Sequence, residues 1–454
     1  MKKFDVLVMG GGPGGYSLAV AAAKKGLSVA LFEKETLGGT CLNVGCIPTK
    51  YLVDKALTME KMKNLSKRGI FEAVPALNFE KVQKGKELVV QKLTGGVGFL
   101  LKGAGVEVIQ GEAVLKPERT VECGGETYQG KNVVIATGSE TMIIPIPGHE
   151  YCITSTDVLN MTEVPSSMVV MGGGVIGLEL ACAFQAFGCK VSVVEMLPEL
   201  IPQGERAAVE LLVKLIKKNG VKIHTGARML RVEKTDEGLK AVFEKEGEEQ
   251  SIDCQEVLMA VGRKACLAGI DAQALGLELD AKKNIKVSKT QETNLPGVYA
   301  IGDAAGGLQL AHAAYAEGER ALDAILSEEG PSEEPIPSCV YTLPCYAAVG
   351  LSSEAAKAAG YETLLGTFDY NNNGMALAEG ASGSVFVVAD AKTRKTLGIS
   401  IVGENASEMI GLASLAVARG LNQEEWESMI VAHPSLNEMI KEAALDCFGE
   451  AVHK

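Results

Sequence analysis

The N-terminal part of the chain alternates short apolar runs with a longer stretch rich in alanine. The apolar run 4–9 leads into a cluster of glycines, a helical stretch over 16–25 and a second apolar run over 27–32. Such short runs are typical of strands buried in a parallel sheet, and the stretch between them is typical of a crossover helix. The same order recurs over residues 167–194. The pattern therefore predicts an α/β fold with two related units.

The rest of the chain is less regular. Residues 51–102 have a helical composition, and the apolar run 133–139 ends in a turn of small residues, which predicts another buried strand. Residues 328–338 are acidic and contain prolines, which is typical of a linker. Residues 339–454 mix strands and helices, which predicts an α+β domain. Its strands are expected over 384–389 and 396–402, and its helices over 408–419 and 436–444.

A glycine turn follows the first apolar run. Gly10, Gly12 and Gly15 give the spacing G-x-G-x-x-G between strand and helix, and Glu33 ends the next strand. Glycines at this spacing let backbone N–H groups at a helix N-terminus approach a pyrophosphate, while the acid accepts hydrogen bonds from a ribose. The segment is therefore predicted to bind a dinucleotide in a Rossmann-like fold.

The second unit repeats every part of this arrangement. Gly172, Gly174 and Gly177 follow an apolar run, and Glu195 closes the next one. A single glycine turn is a weak signal, but two complete copies predict two bound dinucleotides. A carboxylate at 195 accepts hydrogen bonds from a free 2′-hydroxyl and repels a 2′-phosphate, and no arginine follows until Arg206. The second site is therefore expected to prefer NAD over NADP.

Composition limits the remaining possibilities. The net charge of −13 argues against nucleic-acid binding. The first residues lack the apolar run of a signal peptide, and no stretch reaches the ~18 apolar residues of a membrane span. We therefore expect a cytoplasmic protein. Most of the cysteines, such as Cys182 and Cys189, lie in apolar patterns that predict small buried side chains.

One pair of cysteines lies in a different setting. Cys41 and Cys46 belong to the stretch GGTCLNVGCIPTK. A structural disulfide, a metal site and a redox-active disulfide are the possible interpretations, and no second Cys/His pair lies nearby to complete a zinc site. On a regular helix the two Cα atoms would be about 8–9 Å apart, whereas a disulfide needs less than about 7 Å. Gly45 and Pro48 allow the segment to depart from an ideal helix, and its setting favours a redox-active pair.

Taken in order, these motifs resemble those of the pyridine nucleotide–disulfide oxidoreductases. The resemblance covers essentially the whole chain. It is strongest to the members that oxidise protein-bound dihydrolipoamide to lipoamide with reduction of NAD⁺. Beside the two glycine turns, it rests on GGTCLNVGCIPTK at 38–50, VVIATGS at 133–139, VYAIGD at 298–303, LAHAAYAEG at 310–318 and HPSLNE at 433–438.

The resemblance implies FAD at the first glycine turn and NAD at the second. It implies an FAD-binding domain with the redox-active disulfide (1–145), an NAD-binding domain (146–265), a central segment completing the FAD domain (266–334) and a C-terminal α+β dimerisation domain (335–454). It also implies a homodimer with active sites shared between subunits. The expected partner is a lipoyl-carrying protein, either an acyltransferase core or the carrier protein of glycine cleavage.

The resemblance assigns roles to residues near the flavin. Cys41 is expected to exchange with the dithiol substrate and Cys46 to face the flavin. Lys50 is expected to lie beside the flavin and to pair with Glu179. Further cofactor contacts are implied at Gly39, Thr40, Thr137, Gly138, Gly262, Asp303 and Ala311, and no metal is implied.

The resemblance also implies a base. An unperturbed cysteine, with a pKa near 8.5, is mostly protonated at neutral pH, so thiol exchange needs a proton acceptor. His433 is expected to take the proton of the substrate thiol, and Glu438 to orient the imidazole. His312 is expected to be structural. The remaining histidines are expected at the surface: His149, His224 and His453.

The chain departs from the family pattern in two places. Cys345 stands where the family usually has a glutamate, and Met375 stands where a basic residue is common. Both lie in the C-terminal domain, so the departures are expected to concern partner-facing and substrate-side detail and to leave the redox centre unchanged. The alternative functions are another NAD(P)H-dependent disulfide reductase of the same family, or a docking subunit of a multienzyme complex.

Overall fold

The computed structural model describes residues 1–328 and 334–454 of the 454-residue chain. The predicted linker at 328–338 therefore lies partly outside the described residues. The strands of the described ranges form five sheets, and helices cover the larger ones. No helix in these ranges is long and apolar enough to cross a membrane.

The N-terminal segment begins the first sheet. The strands of this segment, β1 to β7, span Lys2–Met9, Val29–Glu33, Glu107–Gln110, Val114–Lys116, Thr120–Cys123, Glu126–Ile135 and Ser139–Thr141. Its helices α1 to α4 span Pro13–Lys24, Gly39–Val44, Cys46–Lys67 and Phe79–Ala104. Every residue of β2 is buried, as expected for a strand in a parallel sheet. The helical stretch predicted over 51–102 consists of two helices, since residues 68–78 do not continue the first one.

The second segment contains a four-stranded parallel sheet and a three-stranded antiparallel sheet. Strands β8 to β15 span Ser167–Met171, Lys190–Val194, Lys222–His224, Ala227–Thr235, Gly238–Lys245, Glu248–Cys254, Glu256–Met259 and Arg263–Ala265. Helices α5 to α7 span Ser155–Leu159, Val175–Phe187 and Arg206–Lys218. Cys182 and Cys189 are buried here, as predicted.

The remaining chain returns to the first sheet and then forms the C-terminal sheet. Strands β16 to β21 span Val298–Ala300, Ser338–Val340, Tyr346–Gly350, Thr363–Asp369, Ser384–Asp390 and Thr396–Val402. Helices α8 to α14 span Ala272–Leu275, Ala311–Leu326, Ser353–Ala358, Gly374–Glu379, Ala406–Arg419, Gln423–Ser428 and Glu438–Asp446. Short 3₁₀ helices span His149–Tyr151, Gly302–Ala304 and Tyr370–Asn372.

The strand order explains how distant segments meet. The first sheet has the order β3-β2-β1-β6-β5-β4, and β16 pairs in parallel with β6, so residues almost three hundred positions along the chain complete the N-terminal sheet. The second parallel sheet has the order β10-β9-β8-β14. In both sheets the glycine turn follows the carboxyl end of an interior strand, which is where open α/β sheets bind nucleotides. The boundaries of the four domains stay a prediction.

The C-terminal domain is a separate α+β layer. Its antiparallel sheet has the order β17-β18-β21-β20-β19, and residues of α12 and α14 share one core with it. Trp426 lies in this core with 1% of its surface exposed, and its indole N–H donates to Thr396 Oγ1 at 2.9 Å. The mixture of strands and helices expected after the linker is confirmed.

Candidate active site

A large cleft joins the two parallel sheets and reaches the C-terminal domain. Its volume is about 1750 Å³, larger than the roughly 300–1,000 Å³ of a site for one small molecule. Most of the predicted site residues line it: Gly10, Gly12, Gly15, Glu33, Gly39, Thr40, Cys41, Cys46, Lys50, Thr137, Gly138, Gly172, Gly174, Glu179, Glu195, Gly262, Asp303 and Ala311. Gly177, His433 and Glu438 do not line it. The cleft thus brings together all but three of these residues.

The first glycine turn holds backbone close to backbone. A Cβ atom on Gly10 would lie 2.3 Å from the carbonyl oxygen of Ala136, and one on Gly15 would lie 2.0 Å from that of Gly10. Gly12 is the N-cap of α1, and the first turn of that helix lines the cleft. The free N–H groups of a helix N-terminus are suited to a phosphate, so this turn fits a dinucleotide.

The second turn repeats the geometry of the first. A Cβ atom on Gly172 would lie 2.4 Å from the carbonyl oxygen of Ala260, and one on Gly177 would lie 2.1 Å from that of Gly172. Gly174 is the N-cap of α6. Gly177 therefore serves the packing of helix against strand, which explains why it does not line the cleft. This turn also fits a dinucleotide.

The acid of each unit is held by the glycine turn of the same unit. Glu33 accepts the N–H of Gly11 at 2.8 Å on one carboxylate oxygen and the N–H of Glu35 at 2.8 Å on the other. Glu195 accepts the N–H groups of Gly173 and Leu197 at 2.6 and 2.7 Å. Each carboxylate is thus fixed at the end of its strand, with lone pairs left for ribose hydroxyls. The sequence predicted the acids but not the amides that hold them.

Replacing Glu195 is expected to change the choice of nicotinamide cofactor. The Glu195→Arg variant should shift the NADP(H)-to-NAD(H) preference by about 100-fold, since a hydrogen bond to a charged group is worth about 1.5–3 kcal/mol and the carboxylate repels a 2′-phosphate. The measurement is kcat/KM for both nucleotides. Glu199→Arg is the matched control, because Glu199 is exposed and does not line the cleft. Equal changes in both variants would contradict the role of Glu195.

The cysteine pair lies where two helices meet. Helix α2 ends at Val44, Gly45 breaks the backbone, and α3 begins at Cys46. A Cβ atom on Gly45 would lie 2.7 Å from the carbonyl oxygen of Thr40, so no larger residue fits without a shift. The expected departure from an ideal helix is confirmed, and it occurs at the glycine.

The two cysteines are free thiols that interact directly. A hydrogen bond from Cys41 lowers the pKa of Cys46, and the positive charge of Lys50 lowers it further, in opposition to burial. The same hydrogen bond raises the pKa of Cys41, and burial adds to the rise. One sulfur is therefore prepared to carry a negative charge and the other a proton.

Lys50 and Glu179 form the predicted pair. The Lys50 ammonium lies 2.8 and 3.0 Å from the two carboxylate oxygens of Glu179, which has 2% of its surface exposed. Tyr341, from the loop after β17, donates its backbone N–H to the same carboxylate at 2.9 Å and places its ring 4.5 Å from the ammonium. The pairing is confirmed. The sequence did not predict Tyr341, since β17 reaches this site only through the sheet of another domain.

A polar network lies at the end of the first sheet. Ser139 donates a hydrogen bond to Asp303, and Arg263 binds both the hydroxyl and the carbonyl oxygen of Ser139, at 2.7 and 2.6 Å. Thr137 donates to the carbonyl oxygen of Cys266 at 2.7 Å. These contacts fix the turns after β6 and β16 on one wall of the cleft. Arg263 and Ser139 are members of the site that the sequence did not predict.

The histidine and glutamate of HPSLNE form a pair outside the cleft. His433 Nδ1 and Glu438 Oε1 are 2.9 Å apart, and Glu438 Oε2 accepts the N–H of Ser435 at 2.8 Å. The His433 side chain is 79% exposed. The predicted contact is confirmed, but within one chain it is not brought to the cysteines.

The positions of the other histidines mostly agree with those predicted from the sequence. His312 binds the carbonyl oxygen of Pro337 at 2.7 Å, which is a structural contact. The His453 side chain is 71% exposed and that of His149 is 42% exposed. The surface prediction is wrong for His224, which is half-buried with its ring centroid 5.3 Å from that of Phe243.

The two departures from the family pattern lie at the core of the C-terminal domain. Cys345 and Met375 both pack against its buried apolar residues and are only partly exposed. Burial raises the pKa of Cys345, which therefore stays a thiol at neutral pH. The two residues thus contribute to packing as well as to the surface.

Comparisons with known proteins agree with this geometry. Residues 4–318 match the family described as pyridine nucleotide-disulphide oxidoreductase, and residues 336–444 match its dimerisation domain, which indicates a homodimer. A dihydrolipoyl dehydrogenase of Thermus scotoductus is 40% identical, with 100% of this chain and 99% of the relative covered. A dihydrolipoyl dehydrogenase of Bacillus subtilis is 39% identical, with 99% and 97% covered.

A solved structure is similar throughout. The HOCl-induced flavoprotein disulfide reductase RclA from Escherichia coli aligns with a TM-score of 0.87 at 27% identity, covering 97% of this chain and 99% of that one. The predicted fold class, two Rossmann-like units and a C-terminal α+β domain, is confirmed. Since both family domains are present in order and span most of the sequence, the chain belongs to the pyridine nucleotide–disulphide oxidoreductases, flavoenzymes that bind FAD and NAD(H).

Proposed function

We propose that the protein oxidises protein-bound dihydrolipoamide to lipoamide with reduction of NAD⁺. The observation that carries the proposal is the position of Cys41 and Cys46, which lie in one cleft with both nucleotide-binding turns. Full-length relatives at about 40% identity that are dihydrolipoyl dehydrogenases support the choice of substrate.

The proposal assigns each segment a task. Residues 1–145 and 266–334 hold FAD through the first glycine turn, Glu33 and Asp303, while residues 146–265 hold NAD through the second turn and Glu195. The bound cofactors supply a two-electron path from the reduced cysteine pair to NAD⁺. All other steps belong to side chains of the protein.

Thiol–disulfide exchange follows from the different environments of the two cysteines. In the oxidised Cys41–Cys46 disulfide, a substrate thiolate attacks the Cys41 sulfur, the bond to Cys46 breaks, and Cys46 leaves with the electron pair. A sulfur of low pKa leaves faster, and Cys46 is the one whose pKa is lowered. The second substrate thiolate then attacks the lipoyl sulfur bound to Cys41. This step releases lipoamide and leaves both cysteines reduced.

The proton of the attacking thiol needs an acceptor. We assign this role to His433, oriented by Glu438 at 2.9 Å. In one chain the His433 ring is exposed, and the pair lies outside the cleft in the domain that matches the family's dimerisation domain. We therefore place the partner subunit's His433 beside Cys41, so that each active site uses two chains.

The proposed partner is a protein that carries a lipoyl group. A lipoyl arm must reach the cysteine pair from the side opposite the flavin, where the partner subunit's His433 is placed. The carrier is an acyltransferase core of a 2-oxo acid dehydrogenase complex or the carrier protein of glycine cleavage.

The direct test is an assay of the FAD-loaded protein. We expect reduction of NAD⁺ with dihydrolipoamide, faster with a lipoylated carrier domain, and little reduction of glutathione disulfide with NADPH. Efficient NADPH-dependent reduction of another disulfide would favour a different reductase of the same family. Tight binding to an acyltransferase core without any turnover would favour a docking subunit.

A further inference from the structure

The loop that carries His433 has few contacts of its own. It connects α13 to α14, and within the described ranges residues 430–434 make no backbone–backbone hydrogen bond. Ile430 is 98% exposed, and Pro434 has no N–H to donate. Lys441 holds the start of the loop through the carbonyl oxygens of Glu427 and Met429. The contacts nearest to the His433–Glu438 pair come from the residues on its C-terminal side.

Ser435 is the residue of the loop that connects Glu438 to Asn373. Its N–H donates to Glu438 Oε2 at 2.8 Å, while the other oxygen of that carboxylate lies 2.9 Å from His433 Nδ1. Its carbonyl oxygen accepts a hydrogen bond from the side-chain amide of Asn373 at 3.0 Å. Both backbone polar groups of Ser435 are thus used, the N–H toward the glutamate and the carbonyl toward a distant asparagine.

Asn373 is suited to this contact in a way that its neighbours are not. It is the third residue of the run Asn371–Asn373 and has 5% of its surface exposed, whereas Asn371 and Asn372 are exposed. Its side-chain oxygen accepts the N–H of Ala376 at 2.9 Å and so caps α11. With the oxygen fixed by the helix, the NH₂ group can point only toward Ser435.

We infer that Asn373 is a positioning residue for the His433–Glu438 pair. It holds the carbonyl oxygen of Ser435, the residue whose own N–H is bonded to Glu438, and Glu438 in turn orients the imidazole. Only an asparagine of this reach supplies an acceptor for the helix cap and a donor for the loop at once. The inference rests on the proposed function, since it assumes that His433 accepts the substrate proton.

Two substitutions separate the loop contact from the helix cap. Asn373→Ser and Asn373→Asp both keep an acceptor for the α11 N-terminus, but serine is too short to reach Ser435 and aspartate has no N–H to donate. Each should lower kcat/KM for dihydrolipoamide about 10-fold, since a small misplacement of a catalytic group has effects of this size or larger. Transfer of electrons from NADH to a small dye, which needs no base, should stay unchanged. Asn371→Ser is the matched control and should behave as the native protein.

A double-mutant comparison distinguishes positioning from general stability. In a Glu438→Gln background the Asn373→Asp change should have little further effect on dithiol oxidation, because residues that act through one another are not additive. An additional loss of the full 10-fold, or a parallel loss of dye reduction, would overturn the inference. So would native dithiol activity in both Asn373 variants.

A measurement that needs no enzymatic turnover tests the positioning role of Asn373 independently of the proposed function. The chain has five histidines, so selective ¹⁵N labelling of their rings gives a small set of signals. We expect one fixed tautomer for His433 in the native protein and a tautomer mixture in Asn373→Asp. A fixed tautomer in the variant would refute the positioning role even if the protein oxidised no dithiol at all.

Discussion

A mixture of two inactive variants, Cys41→Ser and His433→Ala, is expected to regain dithiol oxidation after subunit exchange. Each variant alone lacks one part of every site, and loss of the base alone lowers the rate by roughly 10²–10⁴. In a twofold dimer with composite sites, a mixed dimer has one site with both defects and one with neither. Random exchange of equal amounts makes half of the dimers mixed, so activity should return to about a quarter of the native value.

The control for this experiment is proof that mixed dimers form. A tag on one variant allows them to be purified and assayed directly. Mixed dimers that remain inactive would show that His433 serves the cysteines of its own chain, and the composite site would be wrong. The exposed ring of His433, outside the cleft that holds Cys41, is the observation that predicts recovery.

The second large effect is a difference between the two cysteines. Cys41→Ser and Cys46→Ser should both abolish dihydrolipoamide turnover, because each removes half of the disulfide. A thiolate in contact with a bound flavin gives a long-wavelength absorbance, and the sulfur prepared to carry the charge is Cys46. Cys46→Ser should therefore lose this absorbance in the reduced protein, while Cys41→Ser should retain it. Identical spectra from the two variants would contradict their separate roles.

The same absorbance reports the pKa of Cys46. A lowered pKa means that the thiolate is present at neutral pH and is protonated as the pH falls. In Cys41→Ala the absorbance should consequently disappear on acidification. The hydrogen bond from Cys41, which is the largest cause of the lowered pKa, is lost in Cys41→Ala, because alanine has no donor. The transition should therefore occur at a higher pH than in the reduced native protein, and a pH titration of the spectrum measures it.

Local motifs were the predictable part of this protein. The two glycine turns, Glu33 and Glu195 depend on short segments whose geometry follows from their own spacing, so the sequence placed them correctly. The break at Gly45 was predictable for the same reason. The contact of Lys50 with Glu179 was predicted only through the family resemblance, because nothing local joins residues 129 positions apart.

The remaining site residues depend on how distant segments pack. Tyr341 reaches Glu179 because the C-terminal sheet lies against the cleft, and Asn373 reaches Ser435 across 62 positions of the chain. Tyrosine and asparagine at such positions have no spacing that marks them. His224 was expected at the surface because it lies outside every motif. The surrounding sheet instead packs it against Phe243.

The acids held by their own glycine turns have a consequence for cofactor binding. Glu33 and Glu195 are fixed by backbone amides of the protein, so the ribose contacts are in place without help from a ligand. A nucleotide that enters such a site loses its own freedom but orders little of the chain, and less of its binding energy is consumed. The binding free energy is then set mainly by the contacts that the nucleotide itself makes. The loops that receive the two cofactors need not refold when the cofactors bind.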